Sequence, residues 1–364
     1  MINYPLNPTC STDGEQKTGE ADKTFTVEEL MADKSYNKKD LHIKACLAHN
    51  VETAVSNGFE KVKLSAGFPD FCFSEMDTSC EFLGKRLALP LMIAPLTGGG
   101  NLSRKINSRL AKAAETLGLG MSVGSQKLML DNLSSPDSFL LRGIAPSVPL
   151  LANIGIVHVK RGKDYLLKAV ESIEADGLSL YVNPIQEALQ EGGEKDFCGL
   201  LAMLEEIMAD FPYPIILKEV GSGISEPLMK WAAGKTGIKG IDVAGLGGTN
   251  WARIEGLISD CDYELYESLG TATSEAVMTA KKHLREGSCL IASGGIRTGI
   301  EMAKALALGA NLIAIGLPFL RWASQSLEEI IKGVEKLKRE LQVAMWHTGS
   351  RSINELQGKF FWRG

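Results

Sequence analysis

Eight short apolar runs, separated by amphipathic segments, constrain the fold of this chain more strongly than any other feature. Each run is four to six residues long, and together they cover residues 89–94, 120–123, 149–153, 177–182, 214–218, 240–243, 289–292 and 311–315. The segments between them place apolar residues three and four positions apart, as amphipathic helices do, for example over residues 105–117, 165–175, 200–208, 274–285 and 302–308. Short strands that are apolar throughout and alternate with helices form a parallel sheet covered on both faces.

The number and spacing of these units favour a closed barrel over an open sheet. Eight strand–helix units within about 230 residues match a (β/α)8 TIM barrel of the α/β class. An open sheet that binds a dinucleotide would carry a Gly-x-Gly-x-x-Gly motif after its first strand, and residues 95–105 contain none. We therefore expect residues 36–364 to form a single barrel domain. Residues 1–35 are rich in Asp, Glu, Lys, Thr and Gly, which predicts a flexible, disordered extension.

Composition and charge exclude several classes of function. The 39 basic and 44 acidic residues give a formal net charge of −5, and no block of like charge suggests a nucleic-acid-binding arm. The seven cysteines are widely spaced and form no Cys-x-x-Cys pair, so neither a disulfide framework nor a zinc site is indicated. The longest apolar stretches are far shorter than the ~20 residues of a membrane span, and residues 1–17 lack a signal-peptide pattern. These features predict a soluble, cytoplasmic protein without a nucleic-acid partner.

The end of the seventh run has the sequence expected of a phosphate-binding loop. Ser293-Gly294-Gly295 stops the strand without bulky side chains, and the next helix is expected to direct its first backbone amides toward that space. Gly316 ends the eighth run. In (β/α)8 barrels the loops after strands seven and eight commonly hold a phosphate of a substrate or flavin. A Gly-Gly pair taken alone is more often a simple turn.

Small and polar residues also end the other runs. Because the carboxyl ends of barrel strands meet at one rim, these residues are expected to line one site, and each is also compatible with an ordinary turn. Such a rim could admit a flat ring system and hydrogen-bond its heteroatoms. Its candidate residues are Thr97, Ser125, Asn153, Lys218 and Thr249.

Lys218 and Glu187 each have a binding and a structural interpretation. An unpaired lysine at the end of a buried strand is costly, so Lys218 should face an anion, such as a reduced flavin, or form an ion pair with Glu219 or Asp242. Glu187 follows Gln186 at the end of another run. Its carboxylate could bind Mg²⁺ beside a substrate phosphate, or it could cap the next helix.

Basic residues at the start of a predicted helix form a third candidate site. A helix is expected to begin near Asn37 as N-cap, with an apolar stripe that reaches Val51. The helix dipole disfavours cations at this end, so Lys38, Lys39 and His42 either await an anion or form a solvated face.

Taken together, these motifs resemble those of the type 2, flavin-dependent isopentenyl-diphosphate isomerases. The resemblance extends from about Lys38 to Thr348-Gly349, and the combination of motifs is specific where no single motif is. The matching segments are Phe82-Leu83-Gly84-Lys85, Thr97-Gly98-Gly99, Gly124-Ser125-Gln126, Asn153-Ile154-Gly155, Asn183-Pro184-Ile185-Gln186-Glu187, Lys218-Glu219-Val220-Gly221, Gly247-Gly248-Thr249-Asn250-Trp251 and Ser293-Gly294-Gly295-Ile296-Arg297.

The resemblance implies an FMN-binding barrel that moves a double bond in a five-carbon isoprenoid diphosphate. Reduced FMN would serve in proton transfer without net redox change, NAD(P)H would be the reductant, Mg²⁺ would help to hold the diphosphate, and the protein would be a homo-oligomer. FMN would contact Thr97, Gly98, Ser125, Asn153, Lys218, Thr249, Gly294, Gly295 and Arg297, with Gly316 at its phosphate. Gln186 and Lys218 would act near the reacting carbons, and Glu187 would bind Mg²⁺. The substrate would also contact Lys38, Lys39, His42, Lys127, Tyr181 and Asn183.

The sequence departs from the family pattern at positions on the substrate side. Lys38 and Lys127 stand where the family has arginine, Tyr181 stands where it has histidine, and residues 269–273 replace a Trp-Gly-Ile-Pro-Thr segment. Lysine lacks the two-pronged geometry of arginine, and a neutral phenol cannot replace a cationic imidazole. Two alternatives therefore stay open: a flavoenzyme of this build that acts on a different or larger isoprenoid as an isomerase or cyclase, and a non-catalytic flavin-binding barrel.

A further alternative, the FMN-dependent oxidation of 2-hydroxy acids on a similar barrel, requires a different pair of residues. It would use a His-x-x-Arg-like base and anion pair late in the chain. No histidine lies between residues 158 and 283, which disfavours this chemistry.

Overall fold

Eight parallel strands close into a barrel, which confirms the predicted (β/α)8 fold. The computed structural model describes residues 38–259 and 262–363, without the side chains of Lys38 and Glu264. The predicted extension over residues 1–35 and the proposed N-cap Asn37 therefore lie outside the described residues. Within the described part of the chain, no helix is long and apolar enough to cross a membrane.

The described residues form twelve strands, of which eight make the barrel. The strands are β1 (Val62–Leu64), β2 (Cys80–Phe82), β3 (Lys85–Leu87), β4 (Leu91–Ile93), β5 (Gly120–Ser122), β6 (Leu150–Gly155), β7 (Gly177–Tyr181), β8 (Ile215–Lys218), β9 (Ile238–Asp242), β10 (Cys289–Ser293), β11 (Leu312–Ile315) and β12 (Phe360–Trp362). Strands β4 to β11 follow one another around the barrel, and β11 pairs with β4 to close it. Each of the eight predicted runs overlaps one barrel strand.

Helices connect the strands and cover the outside of the barrel. They are α1 (Lys38–Ala48), α2 (Asn101–Leu117), α3 (Lys127–Leu130), α4 (Lys163–Glu171), α5 (Pro184–Leu189), α6 (Leu200–Met208), α7 (Glu226–Ala233), α8 (Trp251–Ser259), α9 (Thr273–His283), α10 (Gly299–Ala307), α11 (Leu317–Gln325), α12 (Leu327–His347) and α13 (Ile353–Leu356). All residues of β4, β6 and β8 are buried, because one face of each strand meets these helices and the other fills the barrel.

A β-hairpin closes the amino-terminal end of the barrel. Strands β2 and β3 pair around Leu83 and Gly84, which both have positive φ, as tight hairpin turns require. Phe82 and Leu87 of this hairpin join the cluster of side chains inside the barrel, together with residues such as Met92. The sequence predicted only loops here. Among the described residues, the hairpin fills this end of the barrel, and the carboxyl ends of the strands stay open to a ligand.

The segment before the barrel crosses its carboxyl-terminal end. Helix α1 packs against α8 and α11. It ends at Ala48, so Val51 lies beyond the helix to which it was assigned, in an extended stretch where it is fully buried. That stretch is held by backbone hydrogen bonds from Thr53 to Gly248 (2.9 Å) and from Asn250 to Val51 (2.8 Å). The strap formed by residues 38–58 thus fixes α1 over the mouth of the barrel.

Candidate active site

A cavity of about 440 Å³ opens at the carboxyl-terminal end of the barrel. The loops after all eight barrel strands contribute to its walls, and α1 forms part of its roof. The predicted site residues that line it are Lys39, His42, Thr97, Ser125, Lys127, Asn153, Tyr181, Asn183, Gln186, Glu187, Lys218, Thr249, Gly294, Gly295, Arg297 and Gly316. The barrel therefore brings together residues that are up to 277 positions apart, from Lys39 to Gly316.

Of the other two predicted residues, Gly98 is described and lies apart from the cavity, whereas the side chain of Lys38 is not described. Gly98 is not among the residues that line the cavity, and a Cβ atom there would lie 2.2 Å from the ring of Phe139. The observed role of Gly98 is to allow this close packing, and its contact with FMN stays a prediction. The backbone of Lys38 begins α1, but its side chain lies outside the described part of the protein.

The glycine loop after β10 approaches the neighbouring loop closely. Gly294 and Gly295 have φ of +106° and +72°, and a Cβ atom at either would lie 2.1 Å from a backbone oxygen, that of Gly245 or Gly247. Only glycine fits such a position without a shift of the backbone. The loop consequently presents backbone to the cavity.

The helix that follows this loop does not offer its first amides to the cavity. The amides of Arg297 and Thr298 donate to Glu301 (2.8 and 3.1 Å), and that of Gly299 donates to Glu340 (2.7 Å). That part of the phosphate-loop prediction is wrong, because carboxylates already satisfy these amides. Helix α11 differs: within the described residues it has no side-chain cap, and Gly316 at its start lines the cavity.

Arg297 lies beside this glycine loop and is held from the strap. Its Nε atom donates to Glu52 Oε1 (2.8 Å), and its terminal nitrogen forms an ion pair with the same oxygen. Glu52 forms a β-bridge with Thr249, which also lines the cavity. The strap is thereby coupled to the loops after β9 and β10.

An unpartnered polar atom marks the cavity wall between β5 and β7. Asn153 is buried, its backbone amide donates to Gln126 (2.9 Å), and its Oδ1 atom has no hydrogen-bond partner among the described residues. A buried polar atom without a partner is costly. Asn153 is therefore arranged to accept a hydrogen bond from a molecule in the cavity.

Lys218 lines the cavity and has an anionic partner within the protein. Its Nζ atom lies 3.0 Å from Asp242 Oδ2, and both side chains are less than a tenth exposed. Asp242 also accepts hydrogen bonds from the Ser293 hydroxyl and the Ala244 amide. Of the two ion-pair partners predicted for Lys218, Asp242 is the one that pairs with it. Sequence analysis missed Ser293 as a wall residue, although it directly precedes the glycine pair.

Glu219 was the other ion-pair partner predicted for Lys218, but it binds backbone amides of its own loop. Its carboxylate accepts hydrogen bonds from the amides of Val220, Gly221 and Ser222. Burial raises the pKa of Glu219 despite these bonds. The residue folds the loop after β8 around its own side chain, and so places Val220 and Gly221 in the cavity wall.

His42 and Gln186 converge on a buried carboxylate that sequence analysis did not identify. Glu255 Oε1 lies 3.2 Å from His42 Nε2 and accepts a hydrogen bond from Gln186 Nε2 (2.9 Å). The His42 ring also meets Trp251 edge-on, with centroids 5.5 Å apart. Glu255 lies one helical turn after Trp251, a motif residue, and that spacing was the available signal.

Both oxygens of Glu187 are already used within the protein. Oε1 accepts from Asn183 (3.1 Å), and Oε2 accepts from Gln190 (2.9 Å) and from the backbone amide of Glu194 (2.6 Å). Within the described residues, no group of three or more His, Cys, Asp or Glu side chains could hold a metal ion by itself. A cation at Glu187 would need further ligands from the substrate.

Tyr181 presents a neutral phenol to the cavity. Its hydroxyl donates to Ser125 (3.0 Å), and its ring packs over Gly155, where a Cβ atom would lie 3.3 Å away. Burial raises the pKa of Tyr181 to about 12, so the phenol keeps its proton at neutral pH.

His158 is a wall residue that no sequence motif indicated. It is buried, and its Nδ1 atom lies 3.8 Å from Glu194, which also pairs with Lys127. Burial lowers the pKa of His158, and the charges of Lys127 and Arg161 add to this effect, against the opposing charge of Glu194.

Comparison with known proteins places the chain among flavoproteins. The model of the FMN-dependent dehydrogenase family matches residues 41–134 and 194–363. The isopentenyl-diphosphate delta-isomerase of Thermococcus onnurineus is 38% identical over 356 residues, with 92% of each chain covered. That of Vibrio parahaemolyticus is 40% identical over 334 residues, which cover 88% of this chain and 97% of that protein. A crystal structure of mandelate oxidase superposes with a TM-score of 0.61 at 19% identity, covering 93% of this chain and 99% of that one, a likeness of fold.

The Lys218–Asp242 pair yields a prediction about stability. Lys218→Met would leave the Asp242 carboxylate buried without its cation, which typically costs about 3–5 kcal/mol in the free energy of unfolding. The double variant Lys218→Met with Asp242→Asn should recover most of that loss. Urea denaturation measures the free energy of unfolding of both variants. The control is Lys239→Met, which replaces an exposed lysine on β9. A single variant as stable as the wild type would show that the pair does not support the fold.

His158 yields a prediction about acid stability. Because its pKa in the folded state lies below the ordinary value, the unfolded state binds the proton more readily. The free energy of unfolding should therefore fall as pH decreases below about 6.5, by at most ~1.4 kcal/mol per pH unit. His158→Gln should flatten this slope, and His49→Gln, at an exposed site, should not. Denaturation measured between pH 5 and 8 tests this prediction. Identical slopes of unfolding free energy against pH for wild type and His158→Gln would contradict it.

Proposed function

Because this chain belongs to the isopentenyl-diphosphate delta-isomerases, within the FMN-dependent dehydrogenase family, we propose that it is an enzyme that interconverts isopentenyl diphosphate and dimethylallyl diphosphate. One observation in this structure supports the proposal. A single cavity joins the glycine loops after β10 and β11 to the basic side chains of Lys39, His42 and Lys127. The first region suits a flavin phosphate, and the second suits the diphosphate of a substrate.

The residues of the cavity fit FMN. The uncapped start of α11 and the backbone exposed at Gly294 and Gly295 suit its phosphate, and the free oxygen of Asn153 suits a ring nitrogen that carries a proton. The residues we assign to FMN are Thr97, Ser125, Asn153, Lys218, Thr249, Gly294, Gly295, Arg297 and Gly316. In its reduced form FMN would supply the proton donor and acceptor for moving the double bond, with NAD(P)H as reductant and without net redox change.

The protein would bind and orient the substrate from the opposite wall. Lys38, Lys39, His42 and Lys127 would hold the diphosphate, with Tyr181 and Asn183 beside it. Glu255 orients both His42 and the Gln186 amide, so Gln186 can be held against the reacting carbons.

Mg²⁺ would bind at Glu187 together with substrate phosphates, since one carboxylate plus phosphates is a common ligand set for this ion. Such binding would compete with the hydrogen bonds that Glu187 now accepts. We also propose a homo-oligomer, as the resemblance implies, and a cytoplasmic location, which the widely spaced cysteines favour.

One observation favours a second candidate, an isomerase or cyclase that acts on a larger or undiphosphorylated isoprenoid. Two residues expected at the diphosphate are engaged within the protein, because Lys127 pairs with Glu194 and the neutral Tyr181 donates to Ser125. Oxidation of a 2-hydroxy acid is less well supported, since the histidines that line the cavity are His42 and His158, and His283 lies outside it and pairs with Glu226.

The activity is tested with purified, FMN-loaded protein under anaerobic conditions. We expect interconversion of isopentenyl and dimethylallyl diphosphate with reduced FMN and Mg²⁺, followed by NMR, and none with oxidised FMN. Gln186→Leu should lower kcat more than KM, because it removes the positioned amide and leaves the basic residues in place. Turnover of a longer isoprenoid but not of the five-carbon diphosphates would favour the second candidate.

FMN binding is tested at Gly316. A Cβ atom there would lie 3.3 Å from the flexible Leu96 side chain at an ordinary φ of −108°, so Gly316→Val should fold. It should weaken FMN binding about tenfold or more by displacing the phosphate from its hydrogen bonds. Flavin fluorescence measures the affinity, and the control is Gly143→Val, at an exposed glycine with open space around it. Undiminished FMN affinity in Gly316→Val would place the phosphate elsewhere. A side chain at Gly295 would disturb the fold as well, which makes Gly316 the cleaner position.

A further inference from the structure

The loop between α5 and α6 covers one side of the cavity. Residues 190–196, which we call the 190–196 loop, contribute Gln190, Glu191, Gly192 and Glu194 to the cavity wall. Gly192 has a φ of +70°, and a Cβ atom at Gly193 would lie 2.1 Å from the Glu187 carbonyl oxygen. The loop is therefore folded tightly against the end of α5.

The carboxylate of Glu194 occupies a basic part of the wall. It forms an ion pair with Lys127 Nζ, and its Oε2 atom lies 3.8 Å from His158 Nδ1. The Lys127 and Glu194 side chains are 40% and 37% exposed, and that of His158 is 4% exposed. Lys127 and His158 line the same cavity as Lys39 and His42, so Glu194 sits where an anion in the cavity would find its partners.

Besides the ion pair with Lys127, the loop is held in this position by polar contacts to Glu187 and Lys160. The backbone amide of Glu194 and the side-chain amide of Gln190 both donate to one oxygen of Glu187 (2.6 and 2.9 Å), and Asp196 pairs with Lys160 at the outer end. Displacement of the Glu194 carboxylate would remove the contact that ties the middle of the loop to Lys127.

We propose that Glu194 is an internal competitor for the anion subsite formed by Lys127 and His158, and that the anionic head of the substrate must displace it and release the 190–196 loop in order to bind. The inference rests on the proposed function, because it concerns the same cavity and takes the substrate to be a diphosphate.

Because a ligand anion must replace the Glu194 carboxylate, the subsite favours ligands with more negative charge. A monoanion, such as a simple carboxylate, replaces one negative charge by another and gains little electrostatic energy while the loop is released. A diphosphate brings at least two charges and three or more acceptor oxygens to Lys127 and the neighbouring His158, so it gains more than Glu194 gives up. Glu194 thus makes the subsite selective for multiply charged heads over simple carboxylates.

The test uses the flavin-loaded, full-length protein and inorganic pyrophosphate as the probe. Titration calorimetry measures its affinity for wild type, Glu194→Gln and Glu191→Gln. Hydrogen exchange followed by mass spectrometry reports the 190–196 loop, where the Glu194 amide should exchange slowly because it donates to Glu187. Glu191 is the matched control: it lies in the same loop, lines the same cavity and carries the same charge, and its side chain makes no ion pair within the described residues.

We expect Glu194→Gln to bind pyrophosphate about two- to fivefold more tightly, the effect of removing one partly exposed ion pair, and Glu191→Gln to change the affinity much less. Pyrophosphate should speed exchange of the loop in wild type. In Glu194→Gln the exchange should be fast already. Equal gains in the two variants would attribute the effect to net charge alone and overturn the proposal. An unchanged or lower affinity in Glu194→Gln would overturn it too.

These readouts separate the inference from the proposed function. The calorimetry and exchange results could agree with expectation while no isoprenoid diphosphate is turned over. In that case Glu194 still competes for an anion subsite, and the proposed substrate is wrong. If turnover is efficient and Glu194→Gln behaves like wild type in both measurements, the isomerase assignment stands and the competitor role is refuted.

Discussion

Closure of the eight-stranded sheet is the constraint on which the rest of this structure depends. In a closed parallel barrel every strand pairs on both sides, so the carboxyl ends of all eight strands must meet at one rim. The hairpin of β2 and β3 fills the opposite end with Phe82 and Leu87. With one end blocked, the loops at the other end surround the cavity, and the strap of residues 38–58 adds α1 as a roof. The position of the site thus follows from the topology before any of its chemistry is considered.

Within that cavity, basic side chains lie against internal carboxylates. Lys218 pairs with Asp242, Arg297 with Glu52 and Lys127 with Glu194, and His42 lies beside Glu255. A lone cation in a partly buried wall would be costly, whereas a paired one is held in a defined orientation. The four pairs differ in exposure. Lys218 and Asp242 are buried, which suits a fixed part of the wall, but Lys127 and Glu194 are more than a third exposed, which suits a pair that a ligand can open.

The pattern of similarity separates fold from function. Mandelate oxidase has the same barrel at 19% identity, so it supports the architecture and leaves the chemistry to the local residues. The isopentenyl-diphosphate delta-isomerases match at 38–40% identity over nearly the whole chain. In the function proposed here, the residues around the glycine loops would bind the flavin, largely through backbone contacts. The opposite wall, with Tyr181 and the 190–196 loop, would then set the preference for a substrate.

The sequence by itself determined the barrel and most of the cavity wall. The alternation of apolar runs and amphipathic segments is a local property, and once eight strands are parallel, the polar residue after each one must reach the shared rim. The partners of those residues could not be predicted in this way. Asp242 was one of two candidates for Lys218, and neither Glu255, which lies 213 positions from His42, nor Glu52, which lies 245 positions from Arg297, had any local signal that linked it to its partner. The tertiary structure decided these pairs, the hydrogen bond from the Gly299 amide to Glu340, and the packing of the hairpin into the end of the barrel. Each depends on which segments closure brings within a few ångströms, a distance that sequence periodicity does not encode.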